Sequence, residues 1–379
     1  MAQHLRKNVS WFLLAAIVWA CPYGHAQSRT PKITKIKLQD FGWQAVPERP
    51  TRFGHPPLAP TLWLDHDGRV LVGFTLRESD ALATREHPQR AFHILRFTAE
   101  GKTDLDLALP TDSWYTNGFY LGPDDQLLAR ANGKLQYYSK NENQRQSEAW
   151  QVLADCPENC SIRQSFSRRT LILSARPPVG SHDAPLDTIV DASSATPRIV
   201  RTCSQMGSMQ ITDNFAYRTG YDRDDDLTVR FPFCEVEHYE DFPKWGKGAP
   251  IILNDETILK MGGNKDGRFG VALIGADGQF GFSIEMPKHD SIDREKITTD
   301  ERYDRFAFMV DTVHGAHPNL DIGGHMVARR VVVLDETGKE LASIPTETQY
   351  EMDSSFSLSP DGRTLGILDE GVVTIVEIP

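Results

Sequence analysis

Apolar runs in this chain come in pairs divided by a tight polar turn, and the pairing recurs at intervals of roughly 40–60 residues, the spacing of a repeat array. The anchors are Leu64–Val72, Leu121–Ala129, Phe166–Leu173, Ile211–Tyr217, Leu253–Leu259, Thr299–Phe308 and Phe356–Ile367. In the first, Leu64 meets Asp65-His66-Asp67-Gly68-Arg69 and the apolar run resumes at Val70-Leu71-Val72. In the last, Phe356-Ser357-Leu358 meets Ser359-Pro360-Asp361-Gly362-Arg363 and resumes at Leu365. Strand-favouring residues on either side of an Asp-Gly type of turn predict a β-hairpin.

A second hairpin follows the first in several repeats. Ile94–Phe97 turns at Ala99-Glu100-Gly101-Lys102 and ends at Leu107–Pro110. Val271–Ile274 turns at Ala276-Asp277-Gly278-Gln279 and ends at Ile284–Pro287, and Val331–Leu334 turns at Asp335–Glu340 and ends at Leu341–Pro345. Two hairpins make four antiparallel strands per repeat, which is one blade of a β-propeller. No amphipathic helix pattern interrupts them, so a solenoid with a helix per repeat is disfavoured; a β-sandwich would lack the alternation of inner and outer hairpins. The expected fold is all-β: a seven-bladed β-propeller of four-stranded antiparallel blades.

The last blade is one strand short. After its inner hairpin at about 355–369 it has Val372–Ile378, and then the sequence given ends. Ile33-Thr34-Lys35-Ile36-Lys37-Leu38 alternates suitably and has no blade of its own. It is expected to pair with the C-terminal strand and close the ring, which removes two exposed edges that would invite aggregation.

The stretch Phe356–Leu365 resembles the repeat of WD40-like, TolB-like and related bacterial propellers, with Leu64–Val72 a second close match. The Trp-Asp dipeptide that names the WD40 repeat is absent, so the resemblance is to a bacterial seven-bladed β-propeller superfamily and to no particular family within it. It implies the architecture of nearly the whole chain. It implies no activity, because this fold hosts binding platforms and several unrelated enzymes.

Composition changes the picture at the N-terminus. Arg6 and Lys7 precede an apolar stretch from Trp11 to Ala20, too short for a comfortable bilayer span, and Gly24-His25-Ala26 supplies small residues at a peptidase site. Residues 1–26 are therefore expected to be a signal peptide cleaved after Ala26, leaving 27–379 as a single propeller domain. Acylation at Cys21 is the competing expectation, with Trp19 a bulky departure from a lipoprotein box. Either route exports the chain to the periplasm or the extracellular space. No later run has the length of a membrane span.

The chain has 41 Lys+Arg and 52 Asp+Glu; without Arg6 and Lys7 the balance is 39 against 52, a net of −13. Such a surface is repelled by nucleic acid and by anionic membranes. Of the 5 cysteines, Cys156, Cys160, Cys203 and Cys234 lie beyond the leader. In an oxidising compartment they read as two disulfides, with three pairings open and the nearest in sequence, Cys156–Cys160 and Cys203–Cys234, preferred.

Chemistry-bearing residues are few. His314, His317, Asp321 and His325 lie in one Gly-rich segment and form the candidate site for a divalent metal, although their spacing matches no established ligand set. Asp222, Asp224 and Asp226 alternate like a calcium loop, but Leu227 and Phe233 stand where its glycine and bidentate glutamate belong. Asn264–Arg268 reads as a further turn. No Gly-x-Ser-x-Gly elbow, His-Glu-x-x-His helix or phosphate-binding glycine loop is present, so no catalytic or cofactor-binding residue is assigned. Aromatic residues cluster at Trp114-Tyr115, Phe119-Tyr120, Tyr137-Tyr138 and Phe231–Trp245, where packing between blades is the leading reading and ligand contact the second.

These observations favour a monomeric binding scaffold that takes a protein, small-molecule or glycan ligand at one face of the ring. Irregular insertions at 77–91, 177–187, 235–248 and 311–328 are the expected recognition loops, with 311–328 first. The alternative is a metal-dependent hydrolase or lactonase-like enzyme with its site in the channel. A quinone-cofactor oxidoreductase would carry repeated tryptophan docking motifs, which are missing.

Overall fold

The computed structural model describes residues 31–43, 61–77, 90–111, 117–139, 149–157, 159–175, 186–204, 210–218, 227–238, 250–254, 257–263, 269–275, 279–314, 325–346 and 354–379. Strand β1 (Ile33–Lys37) is followed by a 3-10 turn, Leu38–Phe41. Blade one comprises β2 (Thr61–Leu64), β3 (Val70–Arg77), β4 (Arg90–Phe97) and β5 (Thr103–Thr111). Blade two has β6 (Gly118–Leu121), β7 (Leu127–Ala131), β8 (Lys134–Tyr138) and β9 (Trp150–Asp155). Blade three has β10 (Cys160–Gln164), β11 (Thr170–Ala175), β12 (Leu186–Asp191) and β13 (Arg198–Ser204). Blade four has β14 (Gln210–Ile211), β15 (Phe215–Arg218), β16 (Leu227–Arg230) and β17 (Glu235–His238). Blade five has β18 (Pro250–Asn254), β19 (Thr257–Gly263), β20 (Phe269–Gly275) and β21 (Phe280–Glu285). Blade six has β22 (Asp290–Thr299), β23 (Arg305–His314), β24 (His325–Asp335) and β25 (Glu340–Pro345). Blade seven has β26 (Ser354–Leu358), β27 (Thr364–Asp369) and β28 (Val372–Glu377), completed by β1.

Every sheet is antiparallel and ordered as a meander, and neighbouring blades touch around the ring from one to seven and back to one. The fold is a seven-bladed β-propeller. All the anchors read from the sequence fall on the inner hairpins. Ring closure follows the expected pairing: Ile33 lies opposite Val376 and Lys37 opposite Val372. Outside the ladder, the Leu38 amide donates to the Gly371 carbonyl at 2.8 Å and Lys32 Nζ donates to Glu377 Oε1 at 2.9 Å.

Alternation within each strand explains why the strands read as nearly unbroken apolar runs. Successive side chains point to opposite faces, and in a ring both faces of a blade are covered by neighbours. Val70 and Val72 pack against blade seven while Leu71, between them, packs against blade two. Likewise Leu171 and Leu173 face blade two, and Ile172 faces blade four. The core is thus divided into wedges between adjacent blades. Where wedges are tight, glycine is required: a Cβ on Gly73 would stand 2.6 Å from ring atoms of both Phe92 and Phe119.

Among the described residues, 14 buried apolar side chains fill the wedge between blades five and six. Both disulfides tie neighbouring blades together. Cys203–Cys234 ties β13 of blade three to the β16–β17 turn of blade four, and Cys156–Cys160 ties the end of blade two to the start of blade three. Their Cα separations are 6.0 Å and 5.2 Å.

Meander topology places the β2–β3 and β4–β5 turns, and their equivalents, on one face of the ring. The connections β3–β4, β11–β12, β17–β18 and β23–β24 start and end on the other face. Those connections hold the insertions expected from sequence, with narrower limits than expected. Residues 235–238 are the fourth strand of blade four, and 311–314 and 325–328 continue β23 and β24. Their ladders to β16 and to each other account for the difference: cross-strand pairing, invisible in a polar stretch, carries the strands further. Among the described residues no helix is long and apolar enough to cross a membrane.

Candidate functional site

The inner hairpin turns gather around the axis on the first of these faces, here the turn face. Those of blades one, two, three, six and seven are built on the same device. In blade one the Gly68 amide donates to the Asp65 carbonyl at 3.0 Å, and the residue closing the turn has φ +71°. The corresponding bond and left-handed residue recur at Asp125 (φ 57°), Arg168 (φ 65°), Tyr303 (φ 58°) and Gly362 (φ 71°). The side chain that opens the turn caps it from inside: Asp65 Oδ1 accepts from the Arg69 amide at 2.8 Å, and Ser359 Oγ accepts from the Thr364 amide at 2.9 Å. Asp300 Oδ1 does the same for the Asp304 and Arg305 amides.

Glycine fills the left-handed position without strain. A residue with a Cβ gives up about 1–2 kcal/mol there. Blades two, three and six nevertheless carry Asp125, Arg168 and Tyr303, and each side chain makes or borders the centre of this face. Such outliers point toward function.

At the axis the turns bind one another. Nδ1 of His66 lies 2.9 Å from Asp125 Oδ1 in blade two, and its Nε2 lies 3.1 Å from Glu301 Oε1 in blade six. Asp125 also accepts the His66 backbone amide at 3.0 Å. With an acceptor at each ring nitrogen the imidazolium is the fitting form. Burial works to lower the pKa of His66, but the Asp125 hydrogen bond and the charges of Asp125 and Glu301 outweigh it and leave the pKa raised. Neither nitrogen is open to act as a catalytic base.

Below this bridge lies Arg168, 5% exposed. Its guanidinium donates to the Leu64 carbonyl at 2.8 Å and reaches the Leu358 carbonyl at 3.5 Å, while lying 5.5 Å over the Trp63 ring. One side chain of blade three therefore ties blades one and seven. Ser165 and Ser167 donate to Asp213 of blade four at 2.7 Å and 2.5 Å, and the Glu301 amide donates to Pro360 O of blade seven at 3.0 Å. The described polar groups at the axis are largely committed to holding turns together.

Beside the axis the same face is open. Between blades five and six lies an open cavity of about 500 Å³, bordered by Asn254, Thr257, Gln279, Arg302 and Tyr303, with Leu273, Gly275 and Gly281 completing the lining. Arg302 pairs with Asp304 at 3.1 Å and lies 3.8 Å from Asp300. Asp300 is 1% exposed; burial, helped by its neighbour Asp304, pushes its pKa up to about 7. Burial likewise pushes the Tyr303 hydroxyl up to about 12, so that phenol stays neutral at physiological pH.

The metal candidates lie elsewhere. Backbone register sets His314 opposite His325 at the end of the β23–β24 ladder, on the face away from the turns. His317 and Asp321 lie outside the described residues, as do Asp222, Asp224, Asp226, Asn264–Arg268 and residues 1–26. Of the aromatic residues, Phe119 and Tyr137 are buried in wedges between blades, in keeping with packing. Phe233 is the exception at 63% exposed, and Trp114, Tyr115, Tyr239, Phe242 and Trp245 lie outside the described residues. The sequence reading missed Asp125, Arg168 and Tyr303. The signal was available: aligning the inner turns on Gly68 and Gly362 sets these three in the glycine position.

No family model matches the chain, and no curated protein matches it. Solved structures resemble it. One of the mitotic checkpoint complex shares 13% identity, covering 98% of this chain and 99% of that one at a TM-score of 0.44. The C-terminal WD40 domain of Sif2 shares 11%, covering 86% and 100% at 0.44. The WD40 domain of Toxoplasma gondii coronin shares 10%, covering 92% and 87% at 0.47. Similarity this distant carries no argument about activity, and the fold rests on the strand pairing above.

Proposed function

We propose that this protein is an exported binding module without catalysis of its own, and that its ligand sits on the turn face in the groove between blades five and six. One observation carries the reading. His66, Asp125, Glu301 and Arg168 close the axis by bonds to each other or to backbone, and beside them the same face opens into a groove of about 500 Å³ at Tyr303. A concave site with convergent polar groups on a rigid scaffold is the usual setting for recognition.

Export is supported by the two disulfides, which persist in oxidising compartments, and by the leader-like residues 1–26. On this reading cleavage after Ala26 leaves residues 27–379 as a single domain. The segment 311–328, first choice from sequence, lies with its ends on the opposite face.

The test is a ligand-observed NMR screen of polar small molecules against the mature chain and a Tyr303→Ala variant. Binding lost in the variant supports the groove. Binding that survives it but vanishes on deletion of 315–324 moves the site to the other face. Stoichiometric metal, lost in His314→Ala/His317→Ala and accompanied by hydrolytic turnover, would replace the binding reading with the hydrolase one.

A further inference from the structure

An apolar patch lies on the outer wall of the ring. Of the 8 large apolar side chains exposed among the described residues, four stand on the rims of blades three and four: Ile199 and Val200 on β13, Phe233 in the β16–β17 turn and Val236 on β17. Phe233 is 63% exposed and Val236 55%. Cys203–Cys234 joins the two blades here, with its Cα atoms 6.0 Å apart, and Ile199 is about 13 Å along β13 from Cys203. Val236 lies opposite Val229 and Arg201 opposite Ile189, and both Val229 and Ile189 are buried in the wedge between these blades. Val236 and Arg201 therefore flank the mouth of that wedge. A cluster of this kind on a wall held rigid by a disulfide marks a contact surface.

Backbone geometry argues against adding a strand there. β13 and β17 are the outermost strands of their sheets. The ladder from β12 to β13 matches Ile189 with Arg201 and Val190 with Ile199, and so leaves Val200 out as a bulge. A bulge on an edge strand deters pairing with a further strand. The wall offers side chains to a partner in preference to its backbone edge.

Charge selects the occupant. Arg201 on β13 and Glu235 on β17 are both exposed, and neither side chain has a partner among the described residues. Arg198 differs, its guanidinium being met by Asp191 at 3.1 Å. An acidic partner would confront Glu235 and a basic one Arg201. A surface with one charge of each sign beside an apolar strip satisfies both, and a second copy of this chain is such a surface. A two-fold axis through the mouth of the wedge sets blade three of each copy against blade four of the other, and pairs Arg201 with Glu235 twice.

We propose that this wall is the self-complementary interface of a homodimer, with Phe233, Val236, Ile199 and Val200 at its centre and two Arg201–Glu235 pairs at its rim. The dimer takes the place of the monomer that the sequence favours. Both faces of the ring stay free, so the proposal stands apart from the groove reading. Four apolar side chains make a small interface beside the standard one of about 800 Å² per partner, so the dimer is a weak one with a dissociation constant in the micromolar range.

Sedimentation equilibrium of the mature protein, from about 1 μM to about 300 μM, tests it by fitting a monomer–dimer constant. Phe233→Ser is expected to weaken the dimer about tenfold or more, as loss of a central aromatic anchor does. Val327→Ser, at an exposed position of blade six, is expected to leave it unchanged. Arg201→Glu alone and Glu235→Arg alone should each weaken it about tenfold, because like charges then face each other across the axis. An equimolar mixture of those two variants should dimerise again, since each copy supplies the charge the other lacks. Both substituted residues are exposed, so the charge variants keep the test valid if Phe233→Ser fails to fold. The proposal is overturned if the protein is a monomer at every concentration, or if association runs on past two copies. It is overturned equally by a dimer indifferent to the charge reversals, or by a mixture that associates no better than its two components.

Discussion

Arg168 of blade three donates to the main-chain carbonyl of Leu64 in blade one, 2.8 Å away and two blades distant. Few contacts in a propeller span blades that are not neighbours, and this one runs through a guanidinium that is almost wholly buried. Burial lowers the arginine's pKa, with Asp125, Glu301 and Asp65 opposing that from a distance. An arginine nonetheless stays charged in a protein. Its fork shape suits two carbonyls at once, which an ammonium cannot match.

Replacing Arg168 by Ala should cost about 1–3 kcal/mol, because the buried Leu64 and Leu358 carbonyls lose their donor. Arg168→Gly should cost less, since glycine relieves the left-handed backbone. Urea midpoints of the three proteins check this. Equal midpoints for wild type and Arg168→Ala would show that the axial contact holds nothing together.

The bridge from His66 to Asp125 and Glu301 predicts a pH dependence. A histidine whose folded pKa is raised contributes stability that is fully present below its usual value of 6.5 and is lost as pH rises through the raised value. Titration of the His66 ring by NMR should therefore give a pKa above 6.5, returning toward it in Asp125→Asn. A His66 that titrates below 6.5 would contradict the bridge.

Asp300 predicts the same sign in a different window. Its folded pKa of about 7 exceeds the usual 3.8, so the folded state holds the proton longer, and stability falls as pH rises between those values. Asp300→Asn, which keeps the acceptor for the Asp304 and Arg305 amides, should flatten this slope and raise stability near neutrality. Chemical denaturation of both proteins at pH 5 and pH 8 is the measurement; a slope unchanged by the substitution would argue that another group titrates.

Loop length makes the two disulfides unequal. Cys203–Cys234 closes 31 residues and should contribute about 4 kcal/mol by chain entropy, whereas Cys156–Cys160, with a separation of 4, should contribute about 2 kcal/mol. Cys203→Ser/Cys234→Ser should accordingly lower the denaturation midpoint more than Cys156→Ser/Cys160→Ser. The reverse order would contradict the loop-length account.

Much of this was legible in the sequence because blade formation is local. Alternating residues and a turn, as at Leu64–Val72, specify an inner hairpin without reference to the rest of the chain. Closure was legible too, since Val372–Glu377 ends one strand short and Ile33–Lys37 stands spare. The turn face was not. His66 meets Asp125 and Glu301, 59 and 235 residues away, only because the ring closes. No periodicity announces that meeting. The groove likewise depends on how the blade-six turn at Arg302-Tyr303 leans over blade five, a matter of packing between sheets. His314 and His325 illustrate the converse: they read as one ligand cluster with His317 and Asp321, yet what the structure adds is a strand register at the far face.

Everything rests on the ring being closed by its first strand in one register, and a cysteine pair tests that directly. Lys35 and Thr374 lie opposite each other on the same face of the β1–β28 ladder, whereas Thr34, one residue away, points to the other face. Under mild oxidation Lys35→Cys/Thr374→Cys should form a new disulfide, mapped by mass spectrometry, and raise the denaturation midpoint; Thr34→Cys/Thr374→Cys should form none. Equal yields from both pairs, or none from the first, would contradict the closed ring.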